Sequence, residues 1–376
     1  IAGDVTLTGR SFLAVCAGEI PESKYDEVFD TEVHTLAGIR AAANIVTIGG
    51  NFTVDGTSVV YPETAVLTGV PVIFRVAGKF KVSASASFDA RARGWGWKDG
   101  NYADRPSDCC KPGGARGTKN DAYGWTLAIG VGEYYTVGAV YGGNQDATVL
   151  YGGWNYAQSY GPTFAPIFSG SPAGSAGTGA NARGSGSIVV LAEGEAEIAG
   201  KLYADGEKST GSMASGGGIW LAASDFTFGD NALLTAKGKD GSTWQSGPGG
   251  GGRIALAEGC TTAQIDTMFE GGWPKGVIEA PTIEGVAVNV SGGKRNDGSG
   301  LVDGSVSMVR PSDDPAAEAN VFVGPHSGDW LTADNWSSGQ VPQPTDRVVI
   351  REKTVFMPSS FTVLSLTLEN ASLQLG

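Results

Sequence analysis

Short apolar runs recur along the chain, separated by stretches of Gly, Ser, Asn and Asp. Val72-Ile73-Phe74-Arg75-Val76, Ile188-Val189-Val190-Leu191-Ala192, Ile219-Trp220-Leu221-Ala222-Ala223 and Ile254-Ala255-Leu256 are the strongest. Each is too short for a typical helix and is bounded by turn residues, so each reads as a strand. Two weaker runs follow in the same order: Phe80-Lys81-Val82 then Phe88-Asp89-Ala90, Ala196-Glu197-Ile198 then Leu202-Tyr203-Ala204, and Phe226-Thr227-Phe228 then Leu233-Leu234-Thr235-Ala236. The unit is therefore three strands closing on Ala-x-Gly and a Gly/Ser-rich loop. No stretch of helical period competes with it.

The units repeat. Ile45 lies 29 residues before Phe74, Ile188 lies 31 before Ile219, and Ile219 lies 35 before Ile254. A period of that size built from short strands predicts an all-β stack in which each unit buries its inward residues only against its neighbours, a parallel β-helix or β-solenoid. Glycine suits such a stack at corners with φ > 0 and where one unit passes close to the next. The run Gly249-Gly250-Gly251-Gly252 is no phosphate cradle, because no helix follows it and no Gly-Lys-Ser/Thr closes it.

The repeat frames the rest. Residues 1–43 read as N-terminal strands or a cap, with an acidic excursion from Glu19 to Glu32. Residues 44–310 form the β-helix, interrupted by an insert over 94–186 that enlarges one loop by roughly 80 residues over the ordinary period. After Gly259 the pattern weakens, and Ile265 to Phe269, Val286 to Val290 and Val302 to Val309 read as closing strands or an edge. Residues 311–320 read as a linker. Residues 321–376 then open a small second β module, where the alternation of Leu364, Leu366 and Leu368 resumes at Leu373 and Leu375 in the manner of a module cut short.

Composition narrows the function. The 376 residues include 59 glycines and carry a net charge of −13. With no Lys/Arg stripe to offset phosphate repulsion, a nucleic-acid partner is excluded, as is attraction to anionic lipid. No apolar run is long enough for a membrane-spanning helix. The two histidines, His34 and His326, and the four cysteines, Cys16, Cys109, Cys110 and Cys260, show no zinc-ligand spacing. The four cysteines are disulfide candidates, their pairing open. So Gly-rich and β-rich a chain is typical of exported proteins, which predicts an extracellular or cell-surface setting.

Two stretches resemble known families. Gly249 to Leu256, with Ser215-Gly216-Gly217-Gly218-Ile219-Trp220-Leu221 and Leu234 to Gly238 before it, resembles the Gly-rich repeats of bacterial exported, autotransporter-like β-solenoid proteins. Gly328-Asp329-Trp330 with Asn335-Trp336-Ser337-Ser338-Gly339 and Asp346-Arg347-Val348-Val349-Ile350 resembles the Trp/Asn-Trp-Ser module of the same secreted proteins. The resemblance implies a β-solenoid fold and carries no catalytic residue across.

Candidate chemistry gathers in the insert. Residues 95–168 hold eight of the 11 tyrosines. Trp125, Tyr134, Tyr135, Tyr141, Trp154, Tyr156 and Tyr160, with Asn144, Gln145, Asn155 and Gln158 among them, supply flat faces and amides for a glycan or for a second copy of the chain. The same rings also serve simply to pack a Gly-rich loop on the stack. Asp99, Asn101 and Asp104 offer oxygens for a Ca²⁺ site, although Asp104 stands where an EF-hand needs Gly. No other cofactor is implied. The expectation is an extracellular structural or adhesive β-solenoid, a stalk, filament or layer subunit that contacts itself, another surface protein or a glycan. A glycoside hydrolase or polysaccharide lyase on the same fold, and a receptor-binding fibre, are the alternatives; no paired carboxylates stand out to favour an enzyme.

Overall fold

The computed structural model describes residues 1–18, 44–65, 69–94, 141–142, 163–171, 183–207, 213–241, 248–269, 276–279, 283–294, 298, 303–311, 319–344, 346–351, 353–358, 360–363, 365–369 and 371–375. It is an all-β chain of parallel sheets, and successive strands go to three of them in rotation. Sheet A holds β1 (Val5–Leu7), β4 (Phe52–Val54), β7 (Phe80–Val82), β10 (Ala196–Ile198) and β13 (Phe226–Phe228). Sheet B holds β2 (Phe12–Cys16), β5 (Val59–Glu63), β8 (Ser87–Asp89), β11 (Lys201–Tyr203), β14 (Leu233–Thr235) and β17 (Ala287–Asn289). Sheet C holds β3 (Asn44–Ile48), β6 (Val72–Val76), β9 (Ser187–Ala192), β12 (Gly218–Ala223), β15 (Arg253–Glu258) and β18 (Ser305–Pro311), closed at one edge by antiparallel β16 (Gly276–Glu279). β1 and β2 pair with β4 and β5, so sheets A and B already begin at Val5 and Phe12, inside the stretch expected as N-terminal strands or a cap.

The main core is drawn from all three sheets. Phe52 and Phe80 of A, Phe88 of B and Phe74 of C meet with ring centroids 5.5–5.9 Å apart, and all four are buried. Strands of A bury alternate residues, whereas β9 and β12 are buried along their whole length. Sheet C is covered on both faces, which is why its strands read as unbroken apolar runs. Its inner face carries Phe74, Val190, Leu221 and Leu256, and its outer face Val189, Leu191, Trp220, Ala222, Ala255 and Ala257.

Register corrects one detail of the sequence reading. Ile45 stands opposite Ile73, and Val46 opposite Phe74. The period there is one residue shorter than the apolar pattern suggests. Because a strand's side chains alternate, the shift sends Ile45 to the outer cluster and Val46 to the inner one.

A second correction concerns Ile265 to Phe269, expected as strand. These residues belong to helix α1 (Thr262–Phe269). Thr261 and Gln264 form a capping box: the Gln264 N–H donates to Thr261 Oγ1 at 3.3 Å and the Thr261 N–H to Gln264 Oε1 at 2.9 Å. Ile265 and Met268, three apart, face the outer side of sheet C. Arg75 of β6 holds the helix there, pairing with Asp266 and Glu193 and lying 5.1 Å over the Phe269 ring.

Beyond β18 comes a smaller unit of two three-stranded parallel sheets. One holds β19 (Ala319–Val321), β21 (Arg347–Arg351) and β23 (Ser365–Glu369); the other β20 (Ser327–Asp329), β22 (Thr354–Met357) and β24 (Ser372–Leu375). The Asn-Trp-Ser motif builds its core. Trp336 is buried edge-on to Trp330 at 4.8 Å and Phe322 at 5.1 Å, and its Nε1–H donates to Trp330 O. Asn335 Nδ2 donates to Asp329 O, and Ser337 Oγ accepts from Val321 N.

The glycine runs turn out to serve close approach. Gly186, Gly217, Gly252 and Gly304 each precede a strand of sheet C, and none has a left-handed φ. A Cβ on Gly217 would fall 2.0 Å from Gly186 O, one on Gly252 2.2 Å from Gly217 O, and one on Gly304 1.7 Å from Gly252 O. Backbone rests directly on backbone through four units. Gly259, by contrast, has φ +75° and open space around it. We expect Gly217→Ala to destabilise the chain by about 2–3 kcal/mol, the scale of core overpacking, and Gly259→Ala by about 1 kcal/mol, the scale of left-handed strain. Paired urea denaturation curves check this, and equal effects at the two positions would contradict the column.

Candidate functional site

The connections between sheets are unequal. From A to B the chain crosses over 8–11, 55–58, 83–86, 199–200 and 229–232, and from C to A over 49–51, 77–79, 193–195 and 224–225. From B to C it runs over 17–43, 64–71, 90–186, 204–217, 236–252 and 290–304. Nearly all the long excursions therefore leave from one corner. The exception, 259–286, carries α1 and β16. In stacked folds the insertions of successive units line one face, which concentrates binding there.

The insert leaves and re-enters through a clamp at this corner. Gly94 N donates to Gly184 O at 2.8 Å. Arg93 and Arg183, on either side of the mouth, share Glu63: Arg93 Nη1 pairs with Oε1 and Arg183 Nη1 with Oε2 at 3.2 Å. Arg183 also donates to Gly94 O and Thr64 O, and Thr64 Oγ1 to Arg93 O. One carboxylate is thus shared by two guanidiniums in a half-buried setting.

Sheet B presents a polar ladder beside the mouth. Asp89 stands opposite Tyr203, Tyr203 opposite Thr235, and Thr235 opposite Asn289; Tyr61 continues the register of Val59 opposite Ser87. Arg91 grips Asp89 through Nε–H to Oδ1 at 2.9 Å and Nη2–H to Oδ2 at 2.7 Å, and its guanidinium lies 4.5 Å over the Tyr203 ring. That hydrogen-bonded carboxylate holds the Arg91 pKa above its already high ordinary value. Arg93 lies 4.1 Å over Tyr61 in the same way. Asp205 accepts from Thr235 Oγ1 at 2.5 Å and Lys237 N at 2.9 Å.

Of the residues expected to make contacts, Tyr141 alone falls among those described, and it is fully buried. It lies in the outer cluster of sheet C with its ring 5.7 Å from the Arg253 guanidinium, and burial pushes its phenol well above the ordinary range. Its position is that of packing. Phe164, Ile167 and Phe168 of the insert are buried on the same face, and each such side chain stabilises by about 1.5–3 kcal/mol. Ser187 Oγ donates to Ile167 O, Ser169 Oγ to Gly69 O and Thr163 Oγ1 to Val323 O, fastening this strap to sheet C and to the C-terminal unit. Trp125, Tyr134, Tyr135, Trp154, Tyr156 and Tyr160 lie outside the described residues, as do Asp99, Asn101 and Asp104. Among the described residues no group of three or more His, Cys, Asp or Glu side chains is placed to hold a metal.

Compared with protein-family models, curated proteins and solved structures, the chain matches none. No helix among the described residues is long and apolar enough to cross a membrane.

Two of the four cysteines fall among the described residues. Cys16 and Cys260 are both free thiols; Cys109 and Cys110 lie outside the described residues. Cys16 is exposed on β2, while Cys260 is buried in the outer cluster of sheet C and donates to Ala257 O at 3.3 Å. Desolvation pushes the Cys260 thiol up to about 12.

Sequence reasoning passed over Tyr61, Glu63, Arg91, Arg183, Tyr203 and Asp205. The signal was present in the repeated Ala-x-Gly: the small Ala204 and Ala236 point inward, and the flanking Tyr203, Asp205, Thr235 and Lys237 form the outward set.

Two outcomes are expected. At pH 8.5 iodoacetamide labels native Cys16, while Cys260 reacts only on unfolding, as peptide mass mapping would read. Since the folded state keeps the Cys260 proton that the unfolded state loses above ~8.5, stability falls as pH rises from there toward 12. Glu63→Gln leaves two guanidiniums facing each other; we expect a loss of roughly 1 kcal/mol, discounted for partial exposure. Limited proteolysis should also cut faster within 95–182, and an unchanged Tm and digestion pattern would refute the clamp.

Proposed function

We propose that the chain is a segment of an exported parallel β-helix whose role is structural or adhesive, making its contacts at the corner between sheets B and C. The observation that carries this reading is the inequality of the connections: apart from 259–286, they are short at two corners and long and varied at the third. A stack needs only its short corners to fold, so length added repeatedly at one corner is length available for contact. The rotation of strands through three parallel sheets supports the β-helix, and the likeness of the Gly-rich runs and the Asn-Trp-Ser module to exported surface proteins supports the cell-surface setting.

The polysaccharide-cleaving alternative has less support. Glu63 and Asp89, the carboxylates beside the mouth, are each engaged with guanidinium groups, whereas glycoside hydrolysis uses two carboxyl groups directed at the scissile bond. Sedimentation and electron microscopy of the purified chain, with a reducing-end assay on a polysaccharide panel, test the reading. Expected are an elongated particle or end-to-end assembly and no turnover. Turnover that disappears in Asp89→Asn or Glu63→Gln would overturn it in favour of an enzyme.

A further inference from the structure

We infer that the outward face of sheet B is a binding site for a neutral polysaccharide chain, lying across the strands along Tyr61, Asp89 and Tyr203 toward Asn289. This deepens the reading of the B–C corner as a contact surface and rests on it, but moves the contact from the insert to the sheet.

Three observations select the ligand. The first is spacing: Tyr61, Asp89 and Tyr203 place one partly exposed side chain on each of three consecutive strands of one parallel sheet, and Asn289 lies exposed two strands further on. Neighbouring strands are ~4.8 Å apart, close to the length of one pyranose unit in an extended chain, so successive sugars meet successive strands in the same way.

The second is chemistry. Tyr61 and Tyr203 bear stacked guanidiniums, making two flat slabs on either side of Asp89. Flat aromatic and guanidinium faces take the C–H faces of sugars, and a guanidinium or carboxylate that has made one bidentate pair still has donors or acceptors for hydroxyls. Arg91 and Asp89 are accessible for this, their side chains 39% and 18% exposed. Asn289, exposed on β17, adds an amide further along, while Thr235 between it and Tyr203 is buried with its hydroxyl donated to Asp205.

The third is charge pairing. Asp89 pairs with Arg91, and Glu63 is shared by Arg93 and Arg183. An acidic polysaccharide would have to displace these carboxylates from their guanidiniums, and a cationic one would have to displace the guanidiniums. A neutral, hydroxyl-rich chain incurs neither conflict. The outer face of sheet C offers no such surface, since it is apolar and covered by the chain's own strap.

The test is calorimetric titration of the whole chain with neutral hexasaccharides of β-1,4-glucose, β-1,4-mannose and β-1,4-xylose, and with the hexamer of galacturonic acid as the acidic control. The inference expects a neutral hexamer to bind, at least tenfold more weakly to Tyr203→Ala and to Tyr61→Ala, with thermal melting showing both variants folded. If either alanine variant unfolds, Tyr203→Leu and Asp89→Asn, which keep shape, serve instead. No binding of any neutral hexamer, preference for the galacturonic acid hexamer, or binding indifferent to these substitutions overturns the inference. Binding that survives them but is lost on deletion of residues 95–140 places the contact on the insert. That result sinks the sheet B site while leaving the corner as the contact surface; loss of all contact, glycan or protein, from both regions would count against the corner itself.

Discussion

Backbone resting on backbone at the corner before sheet C is the constraint on which the remaining structure depends. Gly186, Gly217, Gly252 and Gly304 stack through four successive units with no room for a side chain between them. A Cβ at Gly217, Gly252 or Gly304 would hold adjacent units apart, and the strands that start at the next residue would lose their ladder. Hydrogen bonds run through the same layer, Gly217 N to Ala204 O, Gly252 N to Ala236 O and Gly304 N to Val290 O, so the long connections enter sheet C already joined to sheet B. Close approach also satisfies buried peptide groups that a loop at this depth would otherwise leave without partners.

From that corner follows the unequal use of the three sheets. Sheet A, with short connections on both sides, keeps a solvated outer face carrying ladders such as Lys79 with Glu195 and Lys81 with Glu197. Sheet C receives the returning excursions, and its outer face is covered by the strap at 163–171, by α1 and by parts of the C-terminal unit. Sheet B faces outward beside the mouth, and its polar row is the one surface among the described residues where aromatic, cationic and acidic side chains alternate from strand to strand. The division leaves sheet B with an outward polar row and gives sheet C over to packing.

Much of this was legible in the residues. The strands of the repeating units, their order and the glycine runs all follow from local pattern, because a strand buried on both faces is apolar throughout and a corner without space admits only glycine. The Asn-Trp-Ser motif was visible too, and its physical sense, two tryptophans closing a small core with Asn335 and Ser337 tying down the turns, needed coordinates. Helix α1 was missed although its capping box, Thr261 and Gln264, stands in the sequence; eight residues are too few for a periodic signal to outweigh β-branched and apolar neighbours. Ile45 was set one residue out of register because Ile73 and Phe74 are equally apolar and only the side to which each points tells them apart.

What the sequence by itself determined is the unit: three short strands, a glycine before the third sheet, and a place where length is added. Those features are local, fixed by side-chain alternation and by the steric demand of a single backbone contact. What only the tertiary structure decided is which units' outward residues come together. Glu63, Arg93 and Arg183 are brought to one point from both ends of a long insert, and Tyr61, Asp89 and Tyr203 stand side by side although Asp89 and Tyr203 are separated by that whole insert. Strand pairing is blind to the length of chain between the partners, since closing a longer loop adds only a slowly growing entropy term. Neighbours on the sheet are therefore set by the stack, and no pattern along the chain announces them.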